Sequence, residues 1–346
     1  MTLELHRIES ADLDAVAGLL MEVFNAPIDA PFINRKVLRW KYLDAGPQWQ
    51  GSRSYALRKA DKIHAHCAVW PLNLQFGDKK EVTCLAYIDW ANRSDLPGAG
   101  FMLKKKLMKL SQTSIVVGGS AETREIVPKL GFAHVADIES FARVVRPWKQ
   151  YRSRPAEPLL KGMARLIRNT SWGLTSISKT NKNWSVRRVE SFSSGFDFNY
   201  SSEHPTPWRD ANYLNFWLQC PAAAVTGFEL INDGTRVGYF LLSRVGGQTR
   251  IADIRPNSDD PTHWKIAYSL AAETAANDPE TCEILASAST PLVRDSLKGS
   301  NFYSRGNVPL FLYDPQQLLK DQPPMFWNLI DGDAAYLSDP AYPFAT

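Results

Sequence analysis

The sequence predicts an α/β fold of the α+β type: two tandem units, each a mixed, mostly antiparallel sheet flanked by helices. Three observations carry this. The chain has 346 residues, 44% hydrophobic and 22% charged, an ordinary globular composition at a length too great for most single cores. Its apolar residues recur with a period near two in some runs and near 3.6 in others. The order of those runs is then played a second time.

Taken in order, Leu3, Leu5 and Ile8 mark a short strand in LELHRIE. Asp12 stands where it would cap the helix LDAVAGLLMEVF, and INRKVLRWKYL forms a second helix ended by Gly46-Pro47. SYALRK, IHAHCAVWPLNLQF and EVTCLAYIDW read as strands, with GDKK turning between the last two, which makes them antiparallel neighbours. FMLKKKLMKL places Phe101, Leu103, Leu107 and Leu110 on one side of a helix. SIVVGGS is a buried strand, AETREIVPKLGF a helix stopped at Gly131, and HVADIESFARVV a closing pair of strands.

DANYLNFWLQCP then resembles RKVLRWKYLDAGP, DGTRVGYFLLSR resembles ADKIHAHCAVWP, and LKGSNF resembles VPKLGF. The anchors Leu38 and Leu214, Lys62 and Arg236, and Phe132 and Phe302 stand 176, 174 and 170 residues apart. A nearly constant offset over three separate matches indicates duplication. The expected boundaries are 1–148 for the first unit, 149–183 for a connector and 184–346 for the second unit. The connector is Pro- and Arg-rich and then helix-like, a basic stretch suited to solvent or to an acidic lipid surface.

A formal charge of +4 allows a local anion site and gives no firm argument for nucleic acid. Cys67, Cys84, Cys220 and Cys282 are far apart, without a C-x-x-C pair, which excludes a zinc knuckle and a disulfide framework. No apolar run approaches the roughly 20 residues that span a bilayer, and the N-terminus lacks a signal-peptide core. A cytoplasmic protein with no transmembrane segment is expected; the connector reads first as a solvated linker helix, with contact to acidic lipid or a nucleotide sugar as the alternatives.

Chemistry is concentrated in RSDLPGAGFMLKKKL, where Gly98 and Gly100 lie between a strand and a helix. Backbone amides at a helix start point at an anion, and glycine lets a diphosphate come close. Lys104, Lys105 and Lys106 follow within two turns and would meet a further phosphate.

The element order, with a glycine turn between the fourth strand and the third helix, resembles that of the GNAT superfamily of acyl-CoA N-acyltransferases. The likeness covers nearly all of residues 1–150 and, more weakly, 185–315. The family pattern Arg/Gln-x-x-Gly-x-Gly/Ala reads here Asp95-Leu96-Pro97-Gly98-Ala99-Gly100. Both glycines are kept and an Asp holds the first position. The position of a tyrosine that protonates the leaving thiolate is Val127, counted back from Leu130-Gly131-Phe132. The resemblance implies acetyl-CoA or another acyl-CoA as substrate. It would be held by the backbone of Ile88 and Trp90 as an added strand, and by Leu96, Pro97, Gly98, Ala99, Gly100 and Phe101. In the second unit DIRPNSDDPTHWKIAYSL has no glycine, and Asp259-Asp260 take the place of phosphates. That unit is expected to line an acceptor cleft and not to bind CoA.

Acyl transfer to an amine needs a base and an oxyanion donor. Asp89, at a strand end beside the slot, is the first candidate base, with a loop-capping role as its plain alternative. Glu122 opens the helix after SIVVGGS, where acidic residues also serve stability, and Ser120 would hold the acceptor or donate to the thiolate. His64 and His66 share a strand face but lack a third ligand nearby, so no metal is expected. Most of the 11 tryptophans are expected to be core mass. The predicted activity is acyl transfer to an amine of a small polar molecule, with an amino sugar as one candidate. The alternatives are a binding or scaffold protein without catalysis, and a Fem-type transfer from aminoacyl-tRNA.

Overall fold

In the computed structural model the described residues are 3–346 except 47, 61, 78–79, 155–157, 176–182, 194–202 and 340–342. Pro47 and two residues of the GDKK turn, Asp78 and Lys79, therefore lie outside them. The first half runs β1 (Glu4–Arg7), α1 (Leu13–Val23), α2 (Arg35–Tyr42), β2 (Ser54–Lys59), β3 (Lys62–Phe76), β4 (Lys80–Asn92), α3 (Ala99–Leu107), β5 (Thr113–Val117), α4 (Ala121–Lys129) and β6 (Ala133–Val144). Two helices follow, α5 (Pro147–Arg152) and α6 (Leu159–Gly173). The second half runs β7 (Trp184–Val189), β8 (Thr206–Pro207), α7 (Ala211–Leu218), β9 (Ala224–Asn232), β10 (Thr235–Val245), β11 (Gln248–Pro256), α8 (Pro261–Asn277), β12 (Glu283–Ala288), α9 (Pro291–Gly299) and β13 (Tyr303–Tyr313). HVADIESFARVV, expected as a pair of strands, is the single strand β6, which stays paired with β13 from Ala142 to Ala133 across two bulges.

The strands form one continuous mixed sheet in the order β1-β2-β3-β4-β5-β13-β6-β12-β11-β10-β9-β7, with β8 beside β3. The halves exchange their last strands. β13 lies against β5, with Leu310 opposite Val117, while β6 lies against β12, with Glu139 opposite Ala288. The exchanged strands also pair with each other from Tyr303–Ala142 to Leu312–Ala133. Each half contains one parallel pair, β4 with β5 and β11 with β12; the other pairings are antiparallel.

Side-chain alternation sends β-strand residues to two layers. On one face Ala68, Trp70 and Leu72 of β3 and Leu241 of β10 pack with Val16, Leu20, Leu38, Leu214 and Trp217 of α1, α2 and α7. On the other face Cys67 and Val69 meet Leu103 and Leu107 of α3, and Phe240 and Ile251 meet Trp264 and Tyr268 of α8. Where the halves join, Trp40 of α2 stacks on Phe216 of α7 at 4.9 Å and meets Trp217 edge-on at 5.3 Å. Trp40, Trp70, Trp217 and Trp264 are all buried, as core mass. The buried guanidinium of Arg53 donates to the carbonyls of Trp40, Lys41 and Asp44, closing the C-terminal turn of α2.

Candidate functional site

β4 and β5 pair through Cys84–Thr113, Leu85–Ser114 and Ala86–Ile115, then part. On its other edge β4 follows β3 except at a bulge: between the pairs His66–Ala91 and Ala68–Ile88, β3 supplies only Cys67 while β4 supplies Asp89 and Trp90. Asp89 takes a left-handed φ of 51°, a conformation uncommon outside glycine. From Tyr87 to Asn92 the edge of β4 toward β5 has no strand beside it. The first turn of α3 stands at the end of this opening, tied to β4 by two bonds. Trp90 Nε1 donates to the Gly100 carbonyl at 3.1 Å, and the Gly100 amide donates to Asn92 Oδ1 at 2.7 Å.

Gly98 precedes α3 with φ 85° and open space where a Cβ would be, which only glycine adopts without strain. The Ala99 amide reaches the Leu96 carbonyl at 3.3 Å. The amides of Gly98 and Phe101 have no acceptor among the described residues. Leu96 and Phe101 are half-buried, and Pro97 is exposed. Asp95 is drawn away from the corner by Lys62 and by His64, whose Nδ1 lies 3.2 Å from Asp95 Oδ1. The Lys62 hydrogen bond, with help from His64, holds the Asp95 carboxyl below its usual range.

The three lysines divide. Lys105 and Lys106 are exposed, but Lys104 turns inward, in line with Gly100 and Leu107 on the helix. Its Nζ lies 3.2 Å from the centre of the Tyr87 ring and 4.7 and 5.8 Å from those of Trp90 and Phe132. It has no hydrogen-bond partner among the described residues. Burial brings its pKa down to about 7. Lys104 thus fills aromatic space beside the opening and does not reach a phosphate at the helix end. The position modulo 3.6 was the signal that could have shown this.

Asp89 faces the opposite layer and is enclosed. Lys41 Nζ lies 2.5 Å from Asp89 Oδ2, and the Tyr42 hydroxyl donates to the same oxygen at 2.6 Å. The Asp89 backbone carbonyl bonds His66 Nδ1 at 2.9 Å, and His66 Nε2 bonds Ser54 Oγ at 2.6 Å. Burial alone would raise the Asp89 carboxyl, but Lys41 and Tyr42 outweigh it and hold it low. Burial lowers His66 to about 4, so the ring is neutral at physiological pH. Asp333, from the C-terminal segment, is raised to about 6 by burial and by the Asp89 charge. Lys41, Tyr42 and Asp333 carried no signal in the sequence, because their partner stands on a distant strand.

Ser120 and Glu122 follow the C-terminal end of β5, as the glycine corner follows that of the parallel β4, and stand at the exposed start of α4. Ser120 Oγ accepts from the Thr123 amide, and Ser120 in turn holds the Glu122 carboxyl low. Val127 is buried under α4. Among the described residues no group of three His, Cys, Asp or Glu side chains could hold a metal.

In the second half, Asp260 caps α8 by accepting from the Thr262 amide at 2.7 Å. β11 and β12 part beyond Arg250–Leu285. Beside α8 and α9 lies a solvent-open cleft of about 420 Å³, lined among others by Arg255, Trp264, Thr290, Leu292 and Phe326. Nothing local in the sequence marked this cleft.

No family model matches the chain, and no curated protein matches it in sequence. Solved structures share its fold. A probable N-acyltransferase from Enterococcus faecalis is 10% identical, over 93% of this chain and 75% of that one, with a TM-score of 0.55. A GCN5-related N-acetyltransferase from Anabaena variabilis is 8% identical over 90% and 73%, with a TM-score of 0.58. The N-myristoyltransferase of Saccharomyces cerevisiae, solved with bound myristoyl-CoA, is 14% identical over 90% and 82%, with a TM-score of 0.58. At these identities the likeness is one of fold, the mixed sheet with flanking helices expected from the element order.

Proposed function

We propose that this chain, which has the fold of GNAT and N-myristoyltransferase structures, moves an acyl group from acyl-CoA to an amine of a small polar acceptor. The observation that supports it most is the parting of β4 from β5 beside the α3 N-terminus. The open edge of β4 at Ile88 and Trp90 would bond the pantetheine amides, and the amides of Gly98 and Phe101 would receive the diphosphate. Asp95, turned toward Lys62 and His64, leaves that corner clear of its charge. The acceptor amine would approach from Ser120 and Glu122, and an amino sugar fits an exposed polar entrance. Residues 1–148 and 184–346 are read as two units of a duplication, with 149–183 between them. Titration calorimetry with acetyl-CoA and longer acyl-CoAs tests the binding half: heat is expected, and Gly98→Asp is expected to abolish it. Thiol release with a panel of amines tests the transfer.

One observation favours binding without turnover: the position where the resemblance places a tyrosine to protonate the leaving thiolate is Val127, a buried aliphatic side chain. CoA binding with no thiol release from any amine would select that reading.

A further inference from the structure

α6 turns its apolar side away from the protein. It is attached by other sides: the Trp172 ring stacks on that of Tyr303 at 4.3 Å, and a polar network holds one edge. Asn169 Nδ2 donates to Gln150 Oε1 at 2.8 Å, and Gln150 Nε2 donates to Glu283 at 3.0 Å and to Thr346 Oγ1 at 2.7 Å. Gly162 and Asn169, seven residues apart and so on one edge of the helix, are the buried positions. About a quarter to half a turn round from that edge, Leu159, Leu160, Met163 and Ile167 share a sector, with Leu160 85% and Ile167 67% exposed. Lys161, Arg165 and Arg168 occupy the sector beyond.

This is a concentration. Twelve large hydrophobic residues are exposed in the described chain, and six of them, Trp148, Leu159, Leu160, Met163, Ile167 and Leu174, fall within 148–174. The charge is concentrated in the same place. Residues 146–173 hold seven Lys and Arg against one Glu, a formal +6, more than the +4 of the entire chain. Exposed Arg152 lies 4.9 Å over the Trp148 ring, a cation seated on an exposed aromatic of α5. An apolar stripe this exposed calls for a covering surface. The surrounding cations select an anionic one, because each Lys or Arg near such a surface contributes about 1 kcal/mol.

We propose that α6 is a membrane-surface helix. Leu159, Leu160, Met163 and Ile167 enter the headgroup boundary of an anionic bilayer while the adjacent Lys and Arg side chains meet lipid phosphates. The sector arrangement suits a helix lying flat, and no helix among the described residues is long and apolar enough to cross a membrane. The polar clasp of Asn169, Gln150 and Glu283 fixes the helix with this side outward.

The full chain would be sedimented with vesicles of phosphatidylcholine alone and of phosphatidylcholine with phosphatidylglycerol. Binding to the anionic vesicles is expected, weaker binding to the neutral ones, and release as salt rises. Leu160→Glu with Ile167→Glu is expected to reduce partition at least about tenfold, and Lys161→Glu to reduce it less. Circular dichroism melts identical to wild type would show that the variants fold. The proposal is overturned by absence of binding to anionic vesicles, by equal binding of the double variant, or by a dimer in buffer that the double variant dissolves. The last result would assign the stripe to a second copy of the chain.

Discussion

Lys41 Nζ and Asp89 Oδ2 lie 2.5 Å apart, with neither side chain reached by appreciable solvent. The pair joins the last turn of α2 to the bulge of β4, so it fixes a helix against a strand whose far edge is open beyond Ala86. Removing one charge strands the other. Asp89→Asn is expected to cost about 3–5 kcal/mol in urea denaturation. Asparagine accepts the left-handed φ at this position, so the loss reads the charge and not the backbone. A loss under 1 kcal/mol would mean that Lys41 finds another partner. Because the folded carboxyl sits below the ordinary value of 3.8, its contribution is present above pH 4 and disappears as pH falls further.

Asp333 works with the opposite sign. Its folded pKa of about 6 exceeds the ordinary carboxyl value of 3.8, so between these values the folded chain holds a proton that the unfolded chain has released. Stability should therefore fall as pH rises from about 4 to 6 and level off above. Asp333→Asn should flatten this segment of a plot of urea midpoint against pH. An unchanged slope would place the titration elsewhere.

Lys104 is a buried amine without a hydrogen-bond partner among the described residues. Lys104→Met keeps the length and removes the desolvated charge, and is expected to stabilise by about 1–3 kcal/mol at pH 6. Between the folded value of about 7 and the ordinary lysine value of 10.5, the unfolded chain binds more protons. Wild-type stability should then rise with pH and the advantage of the variant should shrink toward pH 10. Melting curves of both proteins over that range decide it. A destabilised variant would show that the contact with Tyr87 outweighs the burial cost.

At the glycine corner, Asn92 competes with an incoming anion for the Gly100 amide. Asn92→Ala is expected to tighten CoA binding in calorimetry and to cost about 1 kcal/mol of stability through the lost bond. Weaker CoA binding would mean that Asn92 itself orients the corner for the ligand.

The order of helices and strands was legible because period and turn residues are local: SYALRK is β2 residue for residue, and the repeat anchors Leu38 and Leu214 lie in corresponding helices. Ser120, Glu122 and the Gly98 turn could be placed at element ends for the same reason. What the sequence hid is everything decided by partners far along the chain. Nothing near Asp89 announces Lys41 or Asp333, and nothing near Phe311 says that β13 will lie between β5 and β6. Lys104 is a mixed case. Three consecutive lysines look like a solvated face, yet helical geometry sends one of three neighbours inward.

The exchanged strands predict that residues 1–148 do not fold alone. Without β13, β5 and β6 lose the strand that separates them. A fragment ending at Trp148 should lack dispersed amide resonances and aggregate, while the full chain should unfold in one calorimetric transition. A well-dispersed fragment spectrum would show that β6 can close onto β5 directly.

The same interleaving sets a timetable for biosynthesis. The first half can acquire β13 only after the ribosome has translated past Tyr313, so its apolar face waits for the second half to be read. Strand edges exposed for that interval invite wrong pairing. A slowly translated transcript, or a cell short of chaperones, should therefore lose this protein to inclusion bodies sooner than one whose halves mature separately.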